Sequence, residues 1–412
     1  MRRPWRFLLA AVSNLGLVIF SLVLALVVLE LGLRLLGLGR PGLYQFDRYS
    51  GWTLRPNAYL LQNKEGGALV QVNSAGLRER ERPYRKPPGT FRIAVLGDSF
   101  TEAKQVPLDQ TFCAVIERRL ASCPSLAGKK VETLNFGCDS YGTAQELMTL
   151  RHRVWQFSPD MVVLAFCTGN DVRNDSIELE GDKCQPFFTF HDGELVLSGP
   201  FEQSPWFRFQ CMMRFESQRS AALNVLGQLR SAIRASLRAR RQLAQVPHNA
   251  GFEAGLDNWI YRPPATSVQR EAWEIAEGEL DQMNQEVASH GAQFLVVTLS
   301  NGIQVNPDPA LRSAYMRRMG VENLFYPDLR IKALGDRRGF AVLNLAPPFQ
   351  AYAEQHHLFL HGFTNTRMGV GHWNETGHRC AGELIAQRLC AILERSAPAP
   401  NQSAVRAKAA AP

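Results

Sequence analysis

The stretch "AVLGDSFTEA", residues 94–103, runs an apolar segment into a Gly-Asp-Ser turn. An apolar run of this length that stops at turn-forming residues reads as a buried strand. Here the stop leaves a hydroxyl, that of Ser99, at the end of the run. Five runs share the pattern: residues 91–96, 131–136, 160–166, 293–299 and 340–345. Helical periodicity falls between most of them and after the last, over 111–122, 143–156, 268–289 and 376–395. Strand alternating with helix predicts a doubly wound parallel α/β sheet with helices on both faces. Ligands of such sheets gather at the carboxyl ends of the strands. Ser99, Gly137 and Asn170 each fall just after a predicted strand.

Working outward, residues 7–29 carry no charge and are long enough to span a bilayer. Arg2, Arg3 and Arg6 precede them, which favours a cytoplasmic N-terminus and an extracytoplasmic remainder, on the periplasmic side in a bacterium. The run is too long for a cleaved signal peptide and no small-x-small site follows. Residues 1–38 are therefore expected to form a single-pass transmembrane anchor, and 39–90 a Pro-, Gly- and Arg-rich approach segment with short extended pieces such as "ALVQVN". The α/β domain is expected over 91–395, interrupted by an insertion at about 172–265, with a disordered Ala/Pro-rich tail over 396–412. Within the insertion, Leu226, Leu229, Ile233 and Leu237 form one helical stripe beside Arg230, Arg234, Arg238 and Arg241. This reads as an amphipathic helix packed on the domain with a solvated basic flank.

The formal net charge of +8 comes without a dense basic run interleaved with aromatics, so nucleic acid is not an expected partner. Eight cysteines show no disulfide framework by spacing. Cys113 and Cys123 lie at opposite ends of one predicted helix, Cys138 and Cys167 read as small buried residues, and Cys184 can pair with Cys211. His356, His357, His361, His372 and His378 cluster near the C-terminus, but no ligand pattern completes a metal site. No metal and no cofactor is expected.

A serine nucleophile needs a base for its proton and donors for the oxyanion formed at an ester carbonyl. Three donors fall at strand ends: the backbone N–H groups of Ser99 and of Gly137 in "LNFGCDSYGT", and the side-chain amide of Asn170 in "TGND". The segment "GHWNETGH" offers the base, with Asn374 capping the last helix and His372 on the loop before it. Taken together, these blocks resemble the SGNH (GDSL-type) hydrolase superfamily in its N-terminally membrane-anchored form. "GDSFTEA" matches the nucleophile block, "NFG" the glycine block, "GND" the asparagine block and "GHWNETGH" the histidine block. The resemblance covers roughly 90–170 and 270–395 and implies a flavodoxin-like fold. It also implies Ser99 as nucleophile, His372 as general base, and Ser99, Gly137 and Asn170 as the oxyanion hole.

One departure stands out. The family's usual Asp, two or three residues before the catalytic histidine, is absent: those positions hold Val370 and Gly369. A backbone carbonyl or a remote acid must then orient His372. Glu102 and Asp171 are near in sequence to the other blocks, whereas Asp98 suits a structural role in its turn. The expected activity is cleavage of acyl esters, short-chain or acetyl, through an acyl-enzyme. One alternative is O-acetyl transfer to an exported polysaccharide, and a second is a catalytically weak binding protein that keeps the fold. The expected partner is an acyl-ester substrate, such as an acylated polysaccharide, and the oligomeric state is not legible.

Overall fold

The computed structural model describes residues 5–39, 41–227, 229, 230 and 257–396. The insertion helix read from 226 to 241 falls largely outside these residues, as does the C-terminal tail. Five strands form one parallel sheet: β1 (Thr90–Gly97), β2 (Lys130–Asn135), β3 (Met161–Phe166), β4 (Gln293–Thr298) and β5 (Ala341–Asn344). Their spatial order is 2-1-3-4-5, the flavodoxin-like arrangement. All five coincide with the apolar runs to within two residues at either end. Alternation along β1 explains why they read as continuous runs. Ile93 and Val95 face one layer while Ala94 and Leu96 face the other, so both pleat faces are buried.

Helices α3 (Phe112–Leu120) and α11 (Glu375–Ser396), with α10 (Ala346–His356), cover the first face. Helices α4 (Thr143–His152), α7 (Ser267–Ser289) and α9 (Tyr326–Arg338) cover the second. Three helices carry no clear apolar stripe in the sequence: α8 (Pro309–Met319), α9 and α10. Helix α8 buries only Arg312 and Tyr315. In α10, Pro347 and Pro348 read as breakers, yet they occupy the first turn, where a missing N–H costs nothing.

Helix α1 (Trp5–Leu35) is long and apolar enough to cross a membrane over Ala11–Leu35, with mean hydropathy 2.6. Between it and β1 lie two antiparallel hairpins, Tyr44–Asp47 with Gly51–Leu54 and Tyr59–Gln62 with Ala68–Gln71. This approach segment is part of the domain. The buried Arg78 guanidinium, for example, donates to the carbonyls of Glu102 and Val106, tying the segment to the turn after Ser99. Two disulfides are present, Cys184–Cys211 as the sequence allowed and Cys123–Cys390, which it did not suggest. The second joins the loop after α3 to α11 across 267 residues, a proximity that only the packing of α3 on α11 creates.

Candidate active site

The strand order reverses between β1 and β3, and the crevice outside their carboxyl ends is where this topology places a ligand. Ser99 opens the short helix α2 (Ser99–Glu102) directly after β1. Asp98 caps that helix through its Oδ1, which accepts from the Phe100 N–H at 2.9 Å. Gly97 has no room for a side chain, since a Cβ would stand 2.1 Å from Thr101 Oγ1. The turn therefore holds the serine tightly, 8% exposed at the floor of a cleft of about 540 Å³.

His372 arrives from the loop before α11. Asn374 Oδ1 accepts from the N–H groups of Thr376 and Gly377, so the cap ends the loop two residues after the histidine. Its Nε2 lies 2.9 Å from Ser99 Oγ. Its Nδ1 lies 2.6 Å from Glu65 Oε2, and its backbone N–H donates to Glu65 Oε1 at 2.9 Å. A carboxylate only accepts, so Nδ1 carries the proton and Nε2 is left to accept from the serine hydroxyl. Burial alone would lower the imidazole's pKa. The hydrogen bond and charge of Glu65 outweigh it, with Asp98 and Asp139 adding, and hold it above the ordinary histidine value. On Glu65 burial pushes upward and the His372 contacts win, leaving that carboxyl below its usual range.

Glu65 sits in the turn of the second hairpin, 307 residues from His372 in the chain. Asn365 clasps that turn: its Oδ1 accepts from the Gly66 N–H, and its Nδ2 donates to the carbonyls of Asn63 and Gly66. The Gly67 N–H donates to the Gln105 carbonyl. Gly371 is required on the facing loop, because its φ is +89° and a Cβ there would lie 2.3 Å from Glu65 Oε1. The same loop is pinned from below. Trp373 Nε1–H donates to Ser300 Oγ, whose hydroxyl donates to His361 Nε2, and His361 Nδ1–H donates to the Gly371 carbonyl. Burial lowers the pKa of His361 to about 4 and that of His378 to about 3. Both are therefore neutral, His361 as a link in that chain and His378 packed against Phe112 and Trp373. Among the described residues no histidine belongs to a group of three ligands close enough to share a metal ion.

Neither acid named from the sequence reaches His372. Glu102 is buried, accepts from the Tyr44 hydroxyl and the Asp139 N–H, and is pushed up to about 7 by burial. Asp171 is buried in the short helix Asp171–Asn174 that follows β3, and accepts from the Cys167 N–H. Asp98 keeps the structural role expected of it.

The oxyanion donors divide. Asn170 lines the cleft, and its Nδ2 donates to Asp98 Oδ2 at 3.3 Å, which leaves its second amide hydrogen available. The Ser99 N–H lies at the first turn of α2 and meets no acceptor among the described residues. Gly137 differs from expectation. Its N–H donates to Asn135 Oδ1 at 2.9 Å, and a Cβ there would stand 2.4 Å from the Glu102 nitrogen. That glycine serves close packing of the β2 loop against α2. Three residues on, Ser140 lines the cleft in the left-handed region, φ +64°.

The comparisons give distant structural likenesses only. No protein-family profile and no curated relative matches the chain. Among solved structures, an acetyl xylan esterase aligns at 12% identity over 72% of this chain and 99% of its own, TM-score 0.36. A lipase/acylhydrolase from Enterococcus faecalis aligns at 13% identity over 73% and 96%, TM-score 0.35. A putative lipolytic protein of the G-D-S-L family from Desulfitobacterium hafniense aligns at 9% identity over 72% and 99%, TM-score 0.31. The fold rests on the strand order, and the chemistry on the Ser99–His372–Glu65 line.

Proposed function

We propose that this chain is a membrane-anchored, extracytoplasmic serine hydrolase of acyl esters. The observation that carries the reading is the unbroken alignment from Glu65 through His372 to Ser99. In the proposed cycle, Ser99 Oγ attacks the ester carbonyl while His372 Nε2 takes its proton. Glu65 stabilises the imidazolium so formed and keeps the ring in register. The Ser99 N–H and the Asn170 amide receive the oxyanion. His372 then returns the proton to the leaving alcohol, the acyl group stays on Ser99, and water resolves it by the reverse proton path. The presence of Glu65 removes the ground for a catalytically weak binding protein, which was the lack of an acid beside His372.

The extracytoplasmic placement draws on Arg2, Arg3 and Arg6 before α1 and on the two disulfides, which persist in oxidising compartments. The test uses the full chain in detergent with p-nitrophenyl acetate and a fluorophosphonate probe. One adduct on Ser99 and loss of turnover in Ser99→Ala are expected. Turnover in Ser99→Ala equal to the parent's overturns the reading. O-acetyl transfer shares every step up to the acyl-enzyme, and the partition of the acyl group between water and an added glycan separates the two.

A further inference from the structure

The hairpin that carries Glu65 has an unusual outer face. Leu61 pairs directly with Leu69 and Tyr59 with Gln71, so Tyr59, Leu61 and Leu69 project to one side. These three are 57%, 68% and 54% exposed, while Val70 on the opposite side is fully buried with Leu43, Leu54 and Val72. An antiparallel hairpin with one face on a core ordinarily turns polar residues outward. Here the outer face carries Tyr59, Leu61 and Leu69 with a single polar residue, Gln71.

The neighbour of that face is the end of α1. Gly37, Leu38 and Gly39 share with Tyr59, Leu61 and Leu69 one groove of about 500 Å³. Leu35, the last residue of α1, and Leu36 just after it are 88% and 75% exposed. The helix end is not free to swing. Glu30 accepts from the N–H groups of Ala221 and Ala222 and from Ser220 Oγ, the Asn224 amide donates to the Gly39 carbonyl, and Gly39 has backbone of Ala221 where a Cβ would lie. Glu30 directly follows the charge-free run 7–29 and, at 1.5 Å per residue, lies about 7.5 Å before Leu35, so the domain grips the last turns of the helix.

We infer that the outer face of the hairpin Tyr59–Gln62/Ala68–Gln71 rests on the lipid bilayer beside the exit of α1, so that one element meets lipid at its stem and His372 at its tip. The inference rests on reading α1 as a membrane helix. Lipid is the occupant because the face is continuous with that helix and carries a tyrosine, the residue type enriched at membrane–water interfaces. Two leucines and a tyrosine, each partly exposed, offer far less than the roughly 800 Å² per partner of a stable dimer.

The full chain in phosphatidylcholine nanodiscs, part of whose lipid bears a nitroxide near the headgroup and part a nitroxide deep in the acyl chain, provides the test. The four free cysteines are all buried, so a thiol-reactive fluorophore selects an introduced site. Labels are placed through Leu61→Cys, through Val18→Cys in α1, and through Phe190→Cys on the separate hairpin Phe187–His191/Glu194–Ser198. We expect the labels at 18 and 61 to lose at least half their emission and the label at 190 to keep it. A label at 61 as bright as that at 190, with 18 quenched, overturns the hairpin's contact and leaves the anchor intact. Failure of the chain to copurify with the discs overturns the anchor and the inference with it. Shielding of position 61 that follows protein concentration and ignores the nitroxide assigns the face to a second copy and overturns lipid. Should Leu61→Cys fold poorly, Leu69→Cys across the strand pair reads the same surface.

Discussion

The strand end that holds Ser99 and the hairpin turn that holds Glu65 are built by opposite means. Around Ser99 the position follows from burial: β1 is apolar on both faces, and Gly97 and Asp98 turn the chain where the apolar run stops. Around Glu65 little is buried. The turn is held by polar contacts from Asn365 and Gln105 and by the space that Gly371 leaves open. The nucleophile is therefore tied to global stability, and its remote acid to a local clasp. Damage to the first region is expected to appear as unfolding, and damage to the second as lost turnover in a folded protein.

The sharpest way to break that comparison is Glu65→Gln. It keeps the shape of the turn and removes the charge that balances the imidazolium, and kcat is expected to fall about 10²–10⁴-fold. The melting temperature should stay near the parent's. A kcat within threefold of the parent's, or an equal loss in Glu102→Gln, would falsify the role given to Glu65. Ile93→Ala tests the other side. Truncating a fully buried strand residue should cost about 2–5 kcal/mol in denaturant unfolding. The kcat per folded molecule should be unchanged, and a comparable loss of kcat would blur the two regions into one.

Asn365→Ala sits between them. With the clasp's three hydrogen bonds removed, kcat is expected to drop about tenfold, because each exposed bond contributes well under ~1 kcal/mol net. Unfolding should shift by no more than about 1 kcal/mol, because the residue is exposed. A stability loss as large as that of Ile93→Ala would show the turn to be part of the core. The smallest effect is in pH dependence. General-base catalysis needs neutral His372, and its folded pKa is raised, so kcat/KM should be lost as pH falls through a midpoint above the ordinary 6.5. In Glu65→Gln burial acts without the opposing carboxylate, and the midpoint should move down. An unmoved midpoint assigns the acid limb to another group.

Much of the site was legible for a physical reason. A residue at the end of a buried strand is marked by the hydrophobic run before it, so Ser99 and Asn170 could be placed at one sheet edge from the alternation of apolar runs with helical periodicity. His372 was marked by the Asn374 cap two residues on. Gly137 shows the limit of such marking. Its place after β2 was right, but whether a loop N–H faces a cleft or a neighbouring Asn135 side chain depends on torsions that no local pattern records. Glu65 had no mark at all. Its hairpin is short and half exposed, and its pairing with His372 closes a separation of 307 residues. Cys123 and Cys390 are invisible for the same reason.

By itself the sequence determined the five buried strands, their alternation with helices, an apolar N-terminal span, and the residues waiting at the strand ends. Those features follow from hydrophobic periodicity and turn chemistry, which act over a few residues at a time. Only the tertiary structure decided which acid faces His372, which N–H groups stay open beside Ser99, and which cysteines meet. Each is a contact between segments far apart in the chain, governed by side-chain packing and hydrogen bonding once the sheet has closed.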